Sequence, residues 1–368
     1  MPRILCTVTN DLTYDQRMIR ICTSLARAGY EVLLVGRRRP ASVPLKEEPF
    51  RQKRLSCFFG KGKLFYLEYN LRLFFFLLAD PFDVACSVDL DTLLPGFLVS
   101  RLKGKICVYD AHEYFTEVPE VVRRPAVQRI WEWVAQLVIP RLDHAYTVGP
   151  GLAGLLEERY GTSFSVIRNV PMAVSPAEGK HPKPGPPVIL YQGVLNEGRG
   201  LEFVIEAMQE VEGAELWLAG EGDLSAALRR QVQRLGLEKK VRFLGYLPPA
   251  ELRALTPQAH IGLNLLENKG LNYYYSLANK AFDYVQAGVP SINMAFPEYL
   301  RLQEEYGVFV LLDELSPAAV RQAIAGLLQD EAAHQRIRDN CRAAAQALNW
   351  EREEERLLAF YRKICRPE

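Results

Sequence analysis

The sequence predicts an α/β protein of two Rossmann-like, doubly wound domains, each built on a parallel sheet. Three observations predict it. Short apolar runs of strand length alternate with amphipathic stretches along the whole chain, the pattern of parallel sheets covered by helices on both faces. The 368 residues suffice for two such domains. Residues 171–187, PMAVSPAEGKHPKPGPP, are rich in proline, glycine and charge and read as a linker.

The strand candidates of the first half are RILCTVT, EVLLVGR, FDVACSV, KICVYDA, HAYTVG and SFSVIRN. Those of the second half are PVILYQG, AELWLAGE, VRFLGYL, HIGLNLL, VPSINMA and GVFVLLD. Helical patterns lie between them, among them DQRMIRICTSLARAGY, GLEFVIEAMQEV and LSAALRRQVQRLGL, and one more helix runs from Trp350. The expected organisation is a domain at 1–170, the linker, a domain at 188–349 and a terminal helix at 350–368. Sheets of this kind bind ligands at the C-terminal ends of their strands, so a cleft is expected there.

Composition narrows the function classes. The chain is 49% hydrophobic and 24% charged, as in ordinary globular proteins. A net charge of +1 gives no global attraction to nucleic acid, so any anion site must be local. Seven cysteines without a C-x-x-C pair suggest neither a zinc site nor a disulfide framework, and reduced thiols fit the cytoplasm. The start MPRILCTVTN has no signal-peptide layout. The longest apolar run, LRLFFFLLA, is shorter than the about 20 residues a bilayer span takes. A dinucleotide site needs G-x-G-x-x-G at the first strand–helix turn. The first turn, TNDLTYDQR, has no glycine, and Gly193, Gly198 and Gly200 of the second half are wrongly spaced.

The stretch YYYSLANKAFDYVQAGVP, 273–290, carries the sharpest signal. It reads as a helix with Ser276 as N-cap and Gly288 and Pro290 as its stop. Leu277, Ala281, Phe282 and Val285 share one face. Lys280 falls in or next to the first turn, where the helix dipole disfavours a cation. A bound phosphate would reverse that penalty; pairing with Asp283 or Asp223 is the plainer alternative. In YQGVLNEGRGLEFVIEAM a glycine turn places Arg199 near a second helix start, so two cations converge on one crevice, as a diphosphate requires. The LAGEGDL junction, with Gly220, is explained by its turn alone. The loop Gly245, Tyr246 and Leu247 would border a nucleotide base.

In the first half, VYDAHEYFTEVPE puts Asp110, His112 and Glu113 at a strand end. The first loop carries Asn10, Asp11, Asp15 and Arg17, where Thr13 or Asp15 would also serve as an N-cap. Asp89 and Asp91 follow the third strand and suit either an acceptor or a cap. The aromatic stretch 58–78, with Lys61, Lys63 and Arg72, could lie on a membrane surface; the alternative buries it against the first sheet.

Ser276, Lys280, Phe282, Asp283, Tyr284, Gly288 and Pro290 match the pattern S-x-P-x-K-L-F-E-Y-x-x-x-G-x-P, and GVLNEGRG, LAGEGD and VRFLGYLP flank it in order. On these motifs the whole chain resembles the retaining GT-B glycosyltransferases of family 4, also called glycosyl transferases group 1. VTNDLTYDQRMIRICTSLARAGYEVLLVGR resembles that family's opening unit, YDAHEYF its central N-domain motif, and the helix from Trp350 the one that crosses back to the first domain. The resemblance implies a nucleotide-diphosphate sugar as donor, transfer to an acceptor hydroxyl with retention, and polysaccharide or glycolipid assembly. It implies that Arg199 and Lys280 hold the diphosphate and that Asp283 binds the ribose. Gly193, Gly220, Gly245, Tyr246, Leu247, Ser276 and Asn279 complete the donor side. His112 is expected to reach the sugar near the reacting carbon; Asn10, Asp11, Asp15, Arg17, Asp89 and Glu113 are expected on the acceptor side.

Three positions depart from the family. Asp283 stands for a glutamate, Tyr275 for a second glutamate and Val194 for an arginine, which leaves the phosphates to Arg199 and Lys280. With two cations for the diphosphate and no metal-site D-x-D pattern, no cofactor and no essential metal are expected. The expected partners are a nucleotide sugar and a carbohydrate or lipid-linked acceptor, with no nucleic acid. The expected location is the cytoplasm, with weak peripheral contact at the inner face of the cell membrane. A sugar-nucleotide epimerase on the same fold and a non-catalytic sugar-nucleotide-binding protein are the alternatives.

Overall fold

The computed structural model describes residues 1–173 and 185–365; the middle of the expected linker, 174–184, lies outside them. The chain divides into two compact units, Met1–Asn169 with Glu353–Glu368, and Val170–Arg352.

The first unit is a seven-stranded sheet of β1 (Arg3–Thr7), β2 (Glu31–Arg38), β3 (Arg51–Ser56), β4 (Val84–Val88), β5 (Ile106–Ala111), β6 (His144–Thr147) and β7 (Ser165–Val166). The strand order is β3-β2-β1-β4-β5-β6-β7, and all pairs are parallel. The second unit is a six-stranded sheet of β8 (Val188–Gln192), β9 (Glu215–Ala219), β10 (Val241–Gly245), β11 (Ile261–Asn264), β12 (Ser291–Met294) and β13 (Phe309–Leu312). Its order is β10-β9-β8-β11-β12-β13, again wholly parallel. In each sheet the order reverses at the unit's first strand, β1 or β8. Loops leaving neighbouring C-terminal strand ends diverge there and open a crevice, the usual ligand position in such sheets.

Apolar burial explains the strands. All five residues of β4 and all five of β8 are buried, as expected of central parallel strands. β3 is the one strand without a sequence signal. RQKRLS carries three cations and only one large apolar side chain, because β3 is an edge strand and charge protects an edge from wrong pairing.

The helix Gly62–Ala79 buries Phe65, Tyr69, Leu73 and Leu77 against Leu5, Leu33, Val35 and Ala85 of the first sheet. Phe74 and Phe76 pack partly against this cluster, whereas Phe75 is exposed. The terminal helix, Trp350–Ile364, packs within the first unit from Glu353 onward. There Glu353 accepts the Arg168 backbone N–H at 3.0 Å, and the Phe360 ring centroid lies 5.2 Å from that of Tyr146. All seven cysteines are free thiols. Among the described residues no helix is long and apolar enough to cross a membrane.

Candidate functional site

At the C-terminal edge of the second sheet, β8 ends at Gln192 and the chain turns at Gly193, with φ at 130°. The Gly193 N–H bonds Ala219 O at 2.9 Å. A Cβ at Gly220 would stand 1.9 Å from Gly193 O, and one at Gly222 would stand 2.4 Å from Asn196 Oδ1. The glycines of LAGEGD therefore do more than turn the chain: they let the loop after β9 lie directly on the loop after β8. The Asp223 N–H closes the contact on Asn196 Oδ1 at 3.0 Å. Gly200, at φ 67°, then starts the short helix Leu201–Ala207 and leaves Arg199 on the loop before it.

The site helix runs Asn279–Ala287. Ser276 does not cap it, contrary to the sequence expectation. Ser276 Oγ donates to Tyr273 O at 2.8 Å and closes the preceding turn, Leu271–Tyr274. Ala278 occupies the N-cap position, and its N–H donates to Tyr299 Oη at 2.9 Å, so the acceptor comes from a distant helix. Ala281, Phe282, Tyr284 and Val285 are buried, and Gly288, at φ 65°, ends the helix. Asn279 is exposed as its first residue, and Lys280 is its second.

Lys280 is half-buried. Its Nζ lies 3.9 Å from the centroid of the Tyr191 ring, and Gly193 is so close that a Cβ there would be 3.3 Å from Nζ. Arg199 lies over Tyr273, with Cζ 5.2 Å from its ring centroid. Among the described residues neither cation forms an ion pair; each rests on an aromatic face instead. Burial holds the Lys280 amine well below the ordinary lysine range, the Arg199 charge pushes it further down, and Asp283 opposes both. Asp283 is held from the other side, accepting from Gln192 Nε2 at 2.9 Å, while Gln192 Oε1 accepts from Thr256 Oγ1 at 2.9 Å. The lysine's charge is thus disfavoured by burial and by the neighbouring arginine at one strand edge, an arrangement that suits an anion. At the far side of the edge Gly245, at φ 69°, leads to Tyr246, 64% exposed, while Leu247 anchors the loop on the apolar cluster of Leu190 and Tyr284. Val194 and Tyr275 supply no charge here, and Val194 is exposed.

The first sheet's edge is organised differently. Arg17 is 4% exposed and wholly committed. Its Nη2 bonds Asp110 Oδ1 at 2.8 Å, its Nε donates to His112 Nε2 at 2.7 Å, and its Nη1 donates to Ile167 O at 3.3 Å. Burial alone would raise the Asp110 carboxyl, but Arg17 and then His112 override it and hold it at about 2. Asp110 Oδ2 also stands 3.1 Å from His112 Nε2. That nitrogen is enclosed, whereas Nδ1 stands 3.8 Å from Asp89 Oδ2. Burial, the largest single influence, lowers the imidazole's pKa, yet Asp110 and Asp89 together outweigh it and the net shift is upward.

Asp89 adopts φ 56°, ψ 171°, a strained conformation for a residue with a Cβ. Its N–H bonds Asp110 O at 2.9 Å and its Oδ1 accepts the His112 N–H at 2.9 Å, which fixes the loop carrying the imidazole. Burial raises the Asp89 carboxyl to about 6, and raises that of Asp91, which accepts from Thr9 Oγ1 at 2.7 Å, to about 7. Glu113 is half-buried, and its charge adds to the rise at Asp91. In the first loop Asp15 caps the helix Gln16–Arg27 by accepting the Met18 N–H at 3.0 Å, Asn10 donates to Asp15, and Asp11 is bridged by Arg54 at 2.8 Å. Asn10, Asp11, Asp15 and Arg17 are thus spent on holding the loop and His112.

Tyr191, Tyr273, Gln192 and Thr256 were not singled out from the sequence. The tyrosines had no motif, and the Gln192–Asp283 link joins residues far apart in the chain.

Two family models match the chain: Glycosyltransferase Family 4 over residues 16–178 and Glycosyl transferases group 1 over residues 186–330. Glycogen synthase of Mycobacterium tuberculosis is 28% identical over 207 residues, 54% of this chain. The chain spans 45% of the length of that relative. Among solved structures, a sucrose-phosphate synthase from Thermosynechococcus elongatus superimposes with a TM-score of 0.82 over 99% of both chains at 17% identity. Anabaena HepE, solved with UDP, superimposes with a TM-score of 0.77 at 15% identity, over 99% of this chain and 100% of its own. These likenesses show the GT-B fold, and with the two family models they establish that the chain belongs to the family 4, group 1 glycosyltransferases.

Proposed function

We propose that the protein transfers a sugar from a nucleotide-diphosphate sugar to an acceptor hydroxyl with retention of the anomeric configuration. The observation that carries the donor side is the pair Lys280 and Arg199, two cations on one strand edge without ion pairs among the described residues. HepE, of the same fold, is solved with UDP and with UDP-glucose, which makes a UDP-sugar the first donor to test.

In this reading Lys280 and Arg199 hold the diphosphate, Asp283 the ribose hydroxyls, and the loop Gly245–Leu247 the base. His112, through Nδ1, contacts the transferred sugar; Arg17, Asp110 and Asp89 position it. The bond from the anomeric carbon to the diphosphate oxygen breaks as the bond to the acceptor oxygen forms. The acceptor's proton passes to the departing phosphate. Lys280 and Arg199 stabilise the charge that develops on the leaving group, the contribution that commonly dominates such catalysis, without an essential metal. This reading assigns no pair of acids among the described residues as nucleophile and acid–base partner, so no covalent intermediate is invoked. The acceptor is a growing polysaccharide or glycolipid, and the free thiols suit a cytoplasmic enzyme.

The test is turnover of a panel of labelled UDP-sugars with the product's anomeric configuration read by NMR. Transfer with retention is the expected outcome. Epimerised donor without acceptor would assign an epimerase, and binding without turnover a sugar-nucleotide-binding protein. His112→Ala should lower kcat far more than donor affinity.

A further inference from the structure

The helix Gly62–Ala79 is apolar on the face that needs no apolar residues. Its inner ridge, Phe65, Tyr69, Leu73 and Leu77, is buried on the sheet. At about 100° per residue, the direction opposite this ridge belongs to Leu64, Leu67, Leu71, Phe75 and Leu78. All five are between 44% and 63% exposed. A helix on a water-exposed surface carries charge in those positions, and one that is apolar all round is covered on both sides. The five side chains form a seam about 21 Å long. Phe58, 90% exposed, and Phe59 stand at its leading end.

The charges beside the seam narrow what covers it. Residues 58–79 hold four charged side chains: Lys61, Lys63, Glu68 and Arg72. The single acid, Glu68, accepts the Phe58 and Phe59 N–H groups at 2.9 Å and bridges Arg72 Nε at 2.7 Å. The Arg72 guanidinium in turn lies 5.2 Å from the Phe58 ring centroid. This lattice neutralises the acid and folds the two phenylalanines back beside the helix. Lys61 and Lys63 remain exposed at the end of the seam. Pairing with the same seam of a second copy would offer these lysines only Glu68, already bridged, and Asp80, already bridged to Arg3 at 2.6 Å.

We propose that this face docks on an anionic lipid bilayer surface. Phe58, Leu64, Leu67, Leu71 and Phe75 enter the headgroup–acyl boundary, and Lys61 and Lys63 meet the headgroups. The inference stands independently of the sugar-transfer reading, since no residue of the seam belongs to either strand edge described above.

Co-sedimentation with phosphatidylcholine vesicles, with and without phosphatidylglycerol, tests it. The wild type should pellet with the anionic vesicles at low salt and release as salt rises. Leu67→Glu/Leu71→Glu should abolish pelleting with an unchanged melting temperature, and Phe58→Ser serves should that double variant fail to fold. Lys61→Glu/Lys63→Glu should weaken binding by roughly tenfold or more. Absence of pelleting by the wild type at low salt, or pelleting unaltered in the leucine or phenylalanine variants, overturns the proposal. So does a dimer in sedimentation equilibrium that Leu67→Glu/Leu71→Glu dissociates, which would make a second copy the occupant.

Discussion

The C-terminal edges of the two sheets hold similar residue types in opposite electrostatic states. On the first, Arg17 is matched by Asp110 and His112, and every member of the group has a protein partner. On the second, Lys280 and Arg199 rest on tyrosine rings, and burial and mutual repulsion disfavour the lysine's charge. A satisfied network gives rigidity and fixes one imidazole nitrogen. A pair of cations held only by aromatic faces gives little to the fold and gains much more when an anion arrives. Substitutions at the first edge should therefore damage stability, and substitutions at the second should damage binding.

The largest expected effect is at the first edge. Asp110→Ala leaves the buried Arg17 guanidinium without its carboxylate and should cost about 3–5 kcal/mol in chemical denaturation. If the variant unfolds like the wild type, the network is not structural and the contrast fails.

Lys280→Met should do the reverse. It removes a disfavoured charge, so its melting temperature should match or exceed that of the wild type. Affinity for a nucleoside diphosphate should fall by about 1.5–3 kcal/mol, roughly 10–150-fold in calorimetry. Arg199→Ala should lose a similar amount of affinity.

A pH series sharpens the comparison next. Asp89 and Asp91 titrate in the folded protein at about 6 and about 7, above the unfolded value near 4. The folded state thus keeps protons that the unfolded state has lost. Stability should fall as pH rises through this window, and the raised His112 contributes in the same direction. Asp91→Asn should flatten the slope between about pH 5 and pH 8 in thermal unfolding; an unchanged slope would remove Asp91 from the account.

The smallest effect is at Asp283. Asp283→Asn keeps a side chain that can accept from Gln192 but loses the charge. Ribonucleotide affinity should drop about fivefold while pyrophosphate binds as before. Equal losses for both ligands in competition binding would mean that Asp283 acts on Lys280 rather than on the ribose.

Much of this fold was legible because parallel strands bury both faces and announce themselves as apolar runs such as VILYQ and VACSV. β3 was silent because an edge strand is selected for charge. The site helix was legible through Lys280 and Gly288, but its start was misplaced at Ser276. The group that receives the Ala278 N–H is the Tyr299 hydroxyl, from another helix, and no local pattern can show it. The same limit applied at the first edge. Asp15 could be read as a cap from its neighbours, whereas the bridges from Asp11 to Arg54 and from Arg17 to Asp110 join distant residues. The apolar outer seam of the helix Gly62–Ala79 was visible only as an excess of apolar residues, until packing separated the face that is covered from the face that is not.

The central claim is that Lys280 waits for an anion, and proton-linked calorimetry tests it most directly. Free Lys280 is held well below the usual lysine range, so above that depressed pKa it is neutral. A diphosphate would charge it, and binding must then take up a proton. Titration of a nucleoside diphosphate across an alkaline pH series, in two buffers of different ionisation enthalpy, should show net proton uptake that grows, and an affinity that falls, as pH rises. Lys280→Met should abolish both. Buffer-independent enthalpy together with unchanged affinity in the variant would contradict the account.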